Sequence, residues 1–430
     1  MSFEWKTLTL GQLGRVVTGK TPKTADTNNF GGQIPFVTPT DMDGCKEMAS
    51  TARYLSELGA STVKSSIIPS GSVMVSCIGS DMGKSVIAKY RCVTNQQINS
   101  IVVDAQFNSE FIYYNLSTRK AELQHLASGG SIMPILNKGK FSEIKIALPP
   151  LAAQLQIAKT LSALDDRITL LRETNATLEA TAQALFKSWF VDFDPVRAKM
   201  EGSLPIGMDE ATAALFPDSF EESELGFVPK GWRVGTLGEI LKLRNERVQP
   251  SDYTVSLPYV PIESIGANIP FLQEFKSGQE ANSSLALFRK GDVLFGAMRP
   301  YFHKVCAAPF DGVTRTTVFT LTPVNLKSSA FALFQSYQKS TVDYATQHSE
   351  GSTIPYAKWR NSMELMPFLL PSESVQSAYS AVVSSFIERG NSNVFQAQTL
   401  STLRDTLLPR LISGQLRLPD ALKEIEGALP

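Results

Sequence analysis

A glycine-rich segment with a lysine is the first place in this chain where side chains could hold a phosphate group. It reads Gly79-Ser-Asp-Met-Gly83-Lys84-Ser85. A nucleotide-binding P-loop has four residues between its glycines and a helix after its lysine. Here three residues separate the glycines, and the Val-Ile-Ala that follows is typical of a strand. The segment does not predict phosphate binding, because it lacks the helix N-terminus that would hold the anion.

An acidic run and the metal-binding residue types are the next candidates for chemistry. Pro217-Asp218 precedes three glutamates, but no lysine follows at the short spacing of a nuclease centre, so we interpret the run as a solvated linker. The four cysteines form no C-x-x-C pair, and the three histidines are scattered. We therefore expect buried free thiols, with no metal and no histidine-based catalysis. The chain also lacks the Asn-Pro-Pro-aromatic and Asp-Pro-Pro-aromatic runs that DNA amino-methyltransferases use.

Composition is that of a folded globular protein. The 430 residues are 43% hydrophobic and 19% charged, which allows two or three domains. No apolar run approaches the roughly eighteen residues of a membrane span, and the N-terminus does not resemble a signal peptide, so we expect a cytoplasmic protein.

Charge is unevenly distributed although the net charge is zero. Residues 1–150 carry +4 and residues 232–370 carry +3, from 15 basic against 11 acidic and 14 against 11 residues. Residues 151–195, 196–231 and 371–430 carry −2, −4 and −1. Two mildly basic segments permit phosphate contacts, but they are weaker than the basic signature of a protein that binds DNA alone.

A long helix lies between the two basic segments and must position them. Apolar residues from 151 to 192 recur at alternating steps of three and four, the period of a coiled-coil seam. The seam consists of Leu161, Leu164, Ile168, Leu171, Asn175, Leu178, Ala182, Leu185 and Trp189. Pro149-Pro150 before it and Asp194-Pro195 after it mark its limits. A core helix of a helical domain is the alternative, and the polar Asn175 favours a paired seam.

The segments around this helix predict two mixed domains. Residues 1–150 contain short β-rich runs, a helical stretch from Glu110 to Leu126 and a flexible Ser128-Gly-Gly-Ser loop. Residues 196–231 are rich in proline, glycine and acids and predict an ordered linker with one short helix near Glu210–Leu215. Residues 232–370 then form the second domain.

The second domain repeats the first in order. Trp232-Arg-Val-Gly-Thr-Leu-Gly-Glu-Ile matches Trp5-Lys-Thr-Leu-Thr-Leu-Gly-Gln-Leu, and Gly351-Ser-Thr-Ile-Pro matches Gly130-Ser-Ile-Met-Pro. Leu-Pro followed by Gln154 returns as Leu-Pro followed by Gln376, 222 residues later. This order indicates a tandem duplication.

The duplication implies a second helix, in residues 371–430, from about Glu373 to Leu411. Its seam is poorer, and we expect bending or fraying where Gly390 and Asn393 fall and a kink or end at Pro409. The two helices are each other's most economical partner. We therefore predict an α+β fold with two β-rich mixed domains separated by two long antiparallel coiled-coil helices, related by a pseudo-twofold axis.

Several longer runs resemble the specificity subunit of type I restriction-modification systems. They are Leu185-Phe-Lys-Ser-Trp-Phe-Val-Asp-Phe-Asp-Pro-Val, Ala214-Leu-Phe-Pro-Asp-Ser-Phe-Glu-Glu-Ser-Glu-Leu-Gly, Val228-Pro-Lys-Gly-Trp and Leu403-Arg-Asp-Thr-Leu-Leu-Pro-Arg-Leu-Ile-Ser-Gly-Gln-Leu. The resemblance covers essentially the whole chain. It implies a non-catalytic subunit whose two target-recognition domains each read one half of a split, asymmetric site in double-stranded DNA.

The same resemblance implies partners. In that family, modification subunits bind S-adenosylmethionine and methylate adenine, and restriction subunits join them to cleave. No cofactor is then expected in this chain itself. A coiled-coil scaffold with two protein-binding domains stays open as an alternative, and an enzyme in its own right is disfavoured by the missing motifs.

Base reading needs hydrogen-bond donors and acceptors on loops, with arginine pairing to guanine and asparagine or glutamine to adenine. Turn-like and strand-edge positions give these DNA-binding candidates: Lys20, Lys23, Asn95, Gln96, Gln97, Ser131, Lys138, Arg315, Thr316, Thr317 and Ser352. The alternative at each position is a residue that caps a turn. The partner-binding candidates on the helices are Leu185, Trp189, Phe190, Leu407 and Leu411.

Overall fold

The computed structural model describes residues 5–42, 46–48, 50–127, 135–223 and 226–428. The chain divides into two compact units. Unit 1 comprises Met1–Ile168 with Gln398–Pro430, and unit 2 comprises Thr169–Ala397. Each unit contains one β-rich lobe and a stretch of each long helix. The unit borders therefore fall inside the helices.

The lobe of unit 1 is built from two sheets and a strand pair. The five-stranded sheet has the order Gly14–Thr18, Ile98–Val103, Val73–Ser76, Ser85–Ala88 and Glu47–Met48. The four-stranded sheet has the order Tyr54–Leu55, Phe30–Val37, Cys92–Thr94 and Ile67–Ile68. Helices of this unit, apart from the long ones, are Glu57–Thr62, Ser109–Ser117, Lys120–Ala127, Lys138–Glu143 and Leu418–Ala428.

The lobe of unit 2 repeats this topology. Its four-stranded sheet has the order Leu241–Leu243, Val318–Pro323, Val293–Gly296 and Val305–Ala307. Its five-stranded sheet has the order Arg247–Val248, Leu285–Phe288, Gly312–Arg315, Pro258–Tyr259 and Lys276–Ser277. Its shorter helices are Asp194–Met200, Glu210–Ala214, Leu237–Ile240, Asp252–Val255, Ser329–Tyr337 and Lys339–Gln347.

The central strands of both lobes are buried along their whole length. Every residue of Val73–Ser76 and Ser85–Ala88 is buried, as is every residue of Val293–Gly296 and Leu285–Phe288. Such strands read as continuous apolar runs instead of alternating ones, because both faces are covered. A parallel strand pair lies in the same place in each lobe, Phe30–Val37 with Cys92–Thr94 in unit 1 and Pro258–Tyr259 with Gly312–Arg315 in unit 2. The predicted duplication is therefore present in the topology.

An antiparallel strand pair leads from each lobe into a long helix. Lys6–Thr9 pairs with Lys145–Leu148, and Arg233–Thr236 pairs with Pro367–Leu370. The Gln154 side chain then donates to the Pro149 carbonyl at 2.8 Å. Gln376 donates to the Pro371 carbonyl at the same distance, 2.8 Å. The sequence match at the two glutamines thus reflects the same hydrogen bond at both helix starts.

The two long helices, Leu151–Phe190 and Glu373–Ile412, run antiparallel within each unit. In unit 2 the Tyr379 hydroxyl donates to the Ala182 carbonyl (3.0 Å), and Asn393 donates to Asn175 (2.8 Å). The partner number falls as the number on the first helix rises, as an antiparallel pair requires. Most of the predicted seam is buried, including Leu161, Leu164, Ile168, Leu171, Ala182 and Trp189.

The second helix does not fray where its seam is poor. It continues through Gly390 and Pro409 to Ile412. The ring of Phe271 lies against Gly390, where an added Cβ would be 2.4 Å from a ring carbon. The Asn175 side chain donates to the Gly390 carbonyl at 3.0 Å. At this level of the seam, Gly390 therefore contacts the Phe271 ring, and the two asparagines form a hydrogen-bonded pair.

Two other expectations differ from the structure. The helical stretch from Glu110 to Leu126 is two helices, Ser109–Ser117 and Lys120–Ala127, and the flexible loop after it lies outside the described residues. The connection at 196–231 has a second short helix and an antiparallel hairpin, Phe220–Ser223 with Gly226–Pro229. Its buried Phe216 belongs to the core of unit 2, so the connection is part of the fold.

Candidate nucleic-acid interface

In unit 1, the ends of three strands and two loops meet at one edge of the five-stranded sheet. The strand register places Thr18 opposite Asn99 and Ile98 opposite Ser76. The Lys20 amide donates to the Thr94 carbonyl at 2.9 Å. The turn at 95–97 and the loop after Thr18 therefore lie side by side.

Close backbone packing holds these two loops together. A Cβ added at Gly19 would lie 2.0 Å from the Asn95 carbonyl oxygen. Any side chain at position 19 would thus force the loops apart. The Thr21 hydroxyl also donates to Gln96 Oε1 at 2.7 Å.

A buried asparagine connects a third segment to this edge. The Asn99 side chain accepts from the Thr18 hydroxyl (2.6 Å) and donates to the Leu136 carbonyl (3.1 Å). The Cys77 amide donates to the Gln97 carbonyl (2.8 Å), and the Leu136 amide donates to the Cys77 carbonyl (2.9 Å). Sequence reasoning did not identify Asn99, although an asparagine inside the apolar strand Ile98–Val103 was the available signal.

The structure brings most of the unit 1 candidates to this edge. Lys20, Gln96 and Lys138 are exposed, and Lys138 begins a helix two residues after Leu136. Lys23 is also exposed, on the loop that follows Lys20. Ser131 lies outside the described residues.

Asn95 and Gln97 differ from the other candidates because they bond to each other. Asn95 Nδ2 donates to Gln97 Oε1 at 3.0 Å, and the Gln97 amide donates to Asn95 Oδ1 at 3.1 Å. Both side chains are half-buried. This is the turn-capping alternative, and it uses only part of the hydrogen-bonding capacity of the two side-chain amides.

Unit 2 repeats the backbone frame of this edge. The Ala297 amide donates to the Thr317 carbonyl (2.9 Å), and the Ala357 amide donates to the Ala297 carbonyl (2.9 Å). These bonds correspond to those of Cys77, Gln97 and Leu136. The turn Arg315-Thr316-Thr317 therefore occupies the place of Asn95-Gln96-Gln97.

The unit 2 candidates have different surroundings. Arg315 is exposed and donates to Asn282 Oδ1 at 3.2 Å, and Ser352 is exposed on the loop that precedes Tyr356. The Thr316 carbonyl accepts from the Tyr356 hydroxyl. The Thr317 hydroxyl is buried, which corrects its assignment as a base-reading residue.

The helix residues assigned to partner binding are packed inside the chain. Trp189 and Phe190 are 6% and 9% exposed and belong to the aromatic core of unit 2, and Leu185 packs against that core. Leu407 and Leu411 are fully buried. Leu407 and Leu411 therefore offer no surface to another subunit, which corrects their assignment, whereas Leu185 is half-buried and its assignment stays a prediction.

Buried thiols and the absence of a grouped ligand set complete the chemical inventory. Burial raises the pKa of the Cys77 thiol to about 11 and the pKa values of Cys92 and Cys306 to about 12. All three are free. Over the described ranges, no three histidine, cysteine or acidic side chains are grouped so that they could hold a metal ion.

The helices were also compared with the requirements of a membrane span. None in the described part of the chain combines the length and apolar character needed to cross a membrane.

Known proteins match this chain over nearly its whole length. Residues 3–180 match the family model for the type I restriction modification DNA specificity domain. The MjaIX specificity subunit of Methanocaldococcus jannaschii is 26% identical, over 97% of this chain and 94% of its own. The EcoDI specificity subunit of Escherichia coli is 25% identical, over 85% of this chain and 77% of its own.

A solved structure shares the fold. The crystal structure of the type I restriction-modification S subunit from M. genitalium superposes with a TM-score of 0.59 at 17% identity, covering 95% of this chain and 96% of its own. By the matched DNA specificity domain and by the relatives that align along the whole chain, the protein is similar to the specificity subunits of type I restriction-modification systems, and the solved structure shows that the fold is shared.

Proposed function

We propose that each β lobe reads one half of a split, asymmetric sequence in double-stranded DNA. The supporting observation is the repeated loop edge, where one backbone frame holds Asn95-Gln96-Gln97 in unit 1 and Arg315-Thr316-Thr317 in unit 2. A constant frame with different donors and acceptors is what two readers of different sequences need. In domain terms, residues 1–150 and 232–370 are the recognition domains, residues 151–195 and 371–430 are helical, and residues 196–231 connect them.

Contacts within this proposal divide into two kinds. Gln96 and Arg315 are exposed and present the groups that pair with adenine and guanine. Lys20, Lys23 and Lys138 are exposed cations that contact phosphates and set the register. Ser352 lies on the loop that completes the unit 2 edge, and Ser131, outside the described residues, is the corresponding candidate in unit 1.

Affinity for DNA depends on partners. The chain has 41 basic and 41 acidic residues, so its net charge supplies little attraction to phosphate. Two modification subunits, which bind S-adenosylmethionine and methylate adenine, dock on the exposed faces of the helices and the acidic connection. Restriction subunits join this assembly in the cytoplasm.

The helices set the distance between the half-sites. Each has 40 residues and is therefore about 60 Å long. The hydrogen-bonded asparagines Asn175 and Asn393 fix the register of the seam. Inserting seven residues after Asn175 and seven before Asn393 adds about 10 Å, or roughly three base pairs of unread spacer.

The test is an exchange of one lobe. Residues 232–370 are replaced by the matching domain of a relative, and the methylated sequence of the assembled complex is determined. We expect one half of the site to change and the other to stay. The control replaces residues 1–150 instead and should change only the opposite half. A change in both halves after either exchange contradicts separate readers, and binding without sequence preference contradicts DNA recognition.

A further inference from the structure

The loop 297–304 of unit 2 contains two left-handed residues that are not glycine. Arg299 has φ 51° and His303 has φ 51°. The same loop in unit 1 has Gly79 with φ 59° and Gly83 with φ 90° at the equivalent positions. A side chain in this conformation is strained, whereas glycine is not. Unit 2 therefore keeps an arginine where the copy in unit 1 has the residue that the backbone prefers.

Backbone bonds on both sides hold this loop in place. The Arg299 amide donates to the Pro355 carbonyl at 2.7 Å, and the Arg299 carbonyl accepts from the Phe302 amide at 3.0 Å. The Lys304 ammonium donates to the Ile262 carbonyl at 2.8 Å. Strain persists only where the surroundings determine the conformation, and it concentrates at functional sites.

The loop lies at the candidate interface. The amides of Ala297 and Met298 donate to the Thr317 carbonyl, at 2.9 and 3.4 Å. Arg299 directly follows Met298, whose amide is bonded to the turn that holds Arg315. The next residues, Tyr301 and Phe302, are 50% and 46% exposed, and their rings pair at 4.8 Å.

The Arg299 guanidinium is available for a ligand. It is half-buried and forms no hydrogen bond or ion pair with any residue that the structure describes. Two other arginines of unit 2 differ. Arg315 donates to Asn282, and Arg244 is tied to the buried carboxylate of Asp292 at 2.7 Å. Arg299 has a strained backbone that is held in place by hydrogen bonds, and its guanidinium has no partner among the described residues. Such a guanidinium can donate to two adjacent hydrogen-bond acceptors of a planar ligand.

We propose that Arg299 reads a guanine in the half-site bound by unit 2, through paired hydrogen bonds to O6 and N7 of the base. This inference rests on the proposed function. It adds a specificity-determining residue outside the turns that sequence patterns indicate. The equivalent Gly79 offers no side chain, so unit 1 has no matching contact.

The experiment separates reading from strain. Wild-type chain, Arg299→Gly, Arg299→Asn and Arg299→Lys are each assembled with the modification subunits and used to select duplexes from a random library. We expect the wild type to select guanine at one position of the unit 2 half-site. Arg299→Gly and Arg299→Asn should lose that preference by roughly 5- to 150-fold, and Arg299→Lys by less. Other positions should be unchanged.

Thermal unfolding of the same variants provides the second readout. Glycine relieves the left-handed strain, so the midpoint of Arg299→Gly should not fall and should rise by about 1–4 °C. Lost specificity in a variant at least as stable excludes misfolding as the cause. Arg289→Ala is the matched control, because Arg289 is a half-buried arginine like Arg299 and lies before the opposite end of strand Val293–Gly296.

The outcomes are distinct. Equal weakening at every position makes Arg299 a phosphate contact and overturns the inference. An unchanged preference, or a wild-type half-site without guanine, also overturns it while leaving the proposed function intact. A wild-type complex that selects no sequence contradicts the proposed function itself.

Discussion

The two lobes share one topology, but the side chains that join each lobe to the helices of its own unit differ in kind. In unit 1 the junction is polar. The Tyr114 hydroxyl donates to Asp165 Oδ2 at 2.6 Å, and Arg404 donates to Asp165 Oδ1 at 2.6 Å. Nearby, the Lys46 ammonium lies 3.2 Å from Glu110 and 3.3 Å from Asp166.

In unit 2 the same three positions are apolar. Phe334 occupies the place of Tyr114, as the sixth residue of the equivalent nine-residue helix. By position along the long helices, Ile387 replaces Asp165 and Ala182 replaces Arg404. Around them lies an aromatic core that includes Phe186, Phe190, Phe331 and Tyr379.

The comparison indicates that the same duplicated backbone accommodates either a polar or an apolar set of side chains at this junction, provided that the set is complete. A buried ion pair is costly to break because one charge is left without its partner, whereas a well-packed apolar set of similar volume is often neutral or stabilising. The two units should therefore respond differently to the loss of one side chain, and similarly to the exchange of the whole set.

The largest effect is expected from an aromatic deletion in unit 2. Phe331 is fully buried, with ring centroids 4.9 Å from Phe190 and 5.8 Å from Phe186. Phe331→Ala should lower the free energy of unfolding of unit 2 by about 3–5 kcal/mol. Tryptophan fluorescence in urea reports this, because Trp189, Trp232 and Trp359 all lie in unit 2.

The matched control for that deletion is Phe227→Ala. The Phe227 side chain is 74% exposed, so its removal should stay within about 0.5 kcal/mol. Equal shifts for the two variants would mean that the aromatic core does not dominate the stability of unit 2.

The next effect is expected from the polar junction of unit 1. Arg404→Ala leaves the buried Asp165 carboxylate with only the Tyr114 hydroxyl. We expect a loss of about 2–3 kcal/mol in unit 1, below the value for a fully buried pair because the Arg404 side chain is 26% exposed. Hydrogen exchange of the amides in Ser109–Ser117 measures the loss. Arg410 lies on the same long helix as Arg404 and forms an exposed ion pair with Glu424, so Arg410→Ala should change this exchange little.

Replacing the whole polar set tests whether the two fillings are equivalent. The triple variant Tyr114→Phe, Asp165→Ile and Arg404→Ala gives unit 1 the residues of unit 2. It should unfold within about 1.5 kcal/mol of the wild type and be more stable than Arg404→Ala alone. Losses that simply add across the three substitutions would show that the frames of the two lobes are not interchangeable.

Repeated local patterns explain what the sequence predicted well. The seam, the duplication and the loop edge were predictable because each depends on residue types at fixed spacing. The match of Gln154 with Gln376 indicated the duplication, and the structure shows that both side chains form the same hydrogen bond. Residue spacing does not show which aromatic side chains are buried by a part of the chain that is distant in sequence. Trp189 and Phe190 were assigned to partners because the lobe that buries them begins more than forty residues later.

Long-range pairing and backbone conformation explain the rest. Asp165 meets Tyr114 and Arg404 from distant parts of the chain, which no local pattern specifies. The left-handed conformation of Arg299 could not be predicted because arginine does not favour it. The equivalence with Gly79 was the available signal, and it required an alignment of the repeat at single-residue accuracy.

The smallest expected effect concerns a carboxylate that has no cationic partner among the described residues. Glu179 accepts from the Tyr337 hydroxyl at 2.7 Å and from Gln183 at 2.9 Å, whereas Asp165 of unit 1 has an arginine. Burial raises the pKa of Glu179 above its ordinary value of 4.5, and the two hydrogen bonds only partly oppose this. A raised carboxyl pKa means that the folded state binds the proton more tightly, so this contribution to stability is full below about pH 4.5 and is lost as the pH rises through the folded pKa.

Glu179→Gln keeps an acceptor but cannot ionise, so its stability relative to the wild type should increase from pH 4 to pH 8. Tryptophan fluorescence in urea measures this difference. Glu173→Gln on the same helix controls for the loss of one exposed charge, and a Glu179→Gln difference that stays constant with pH would show that ionisation of Glu179 does not limit unit 2.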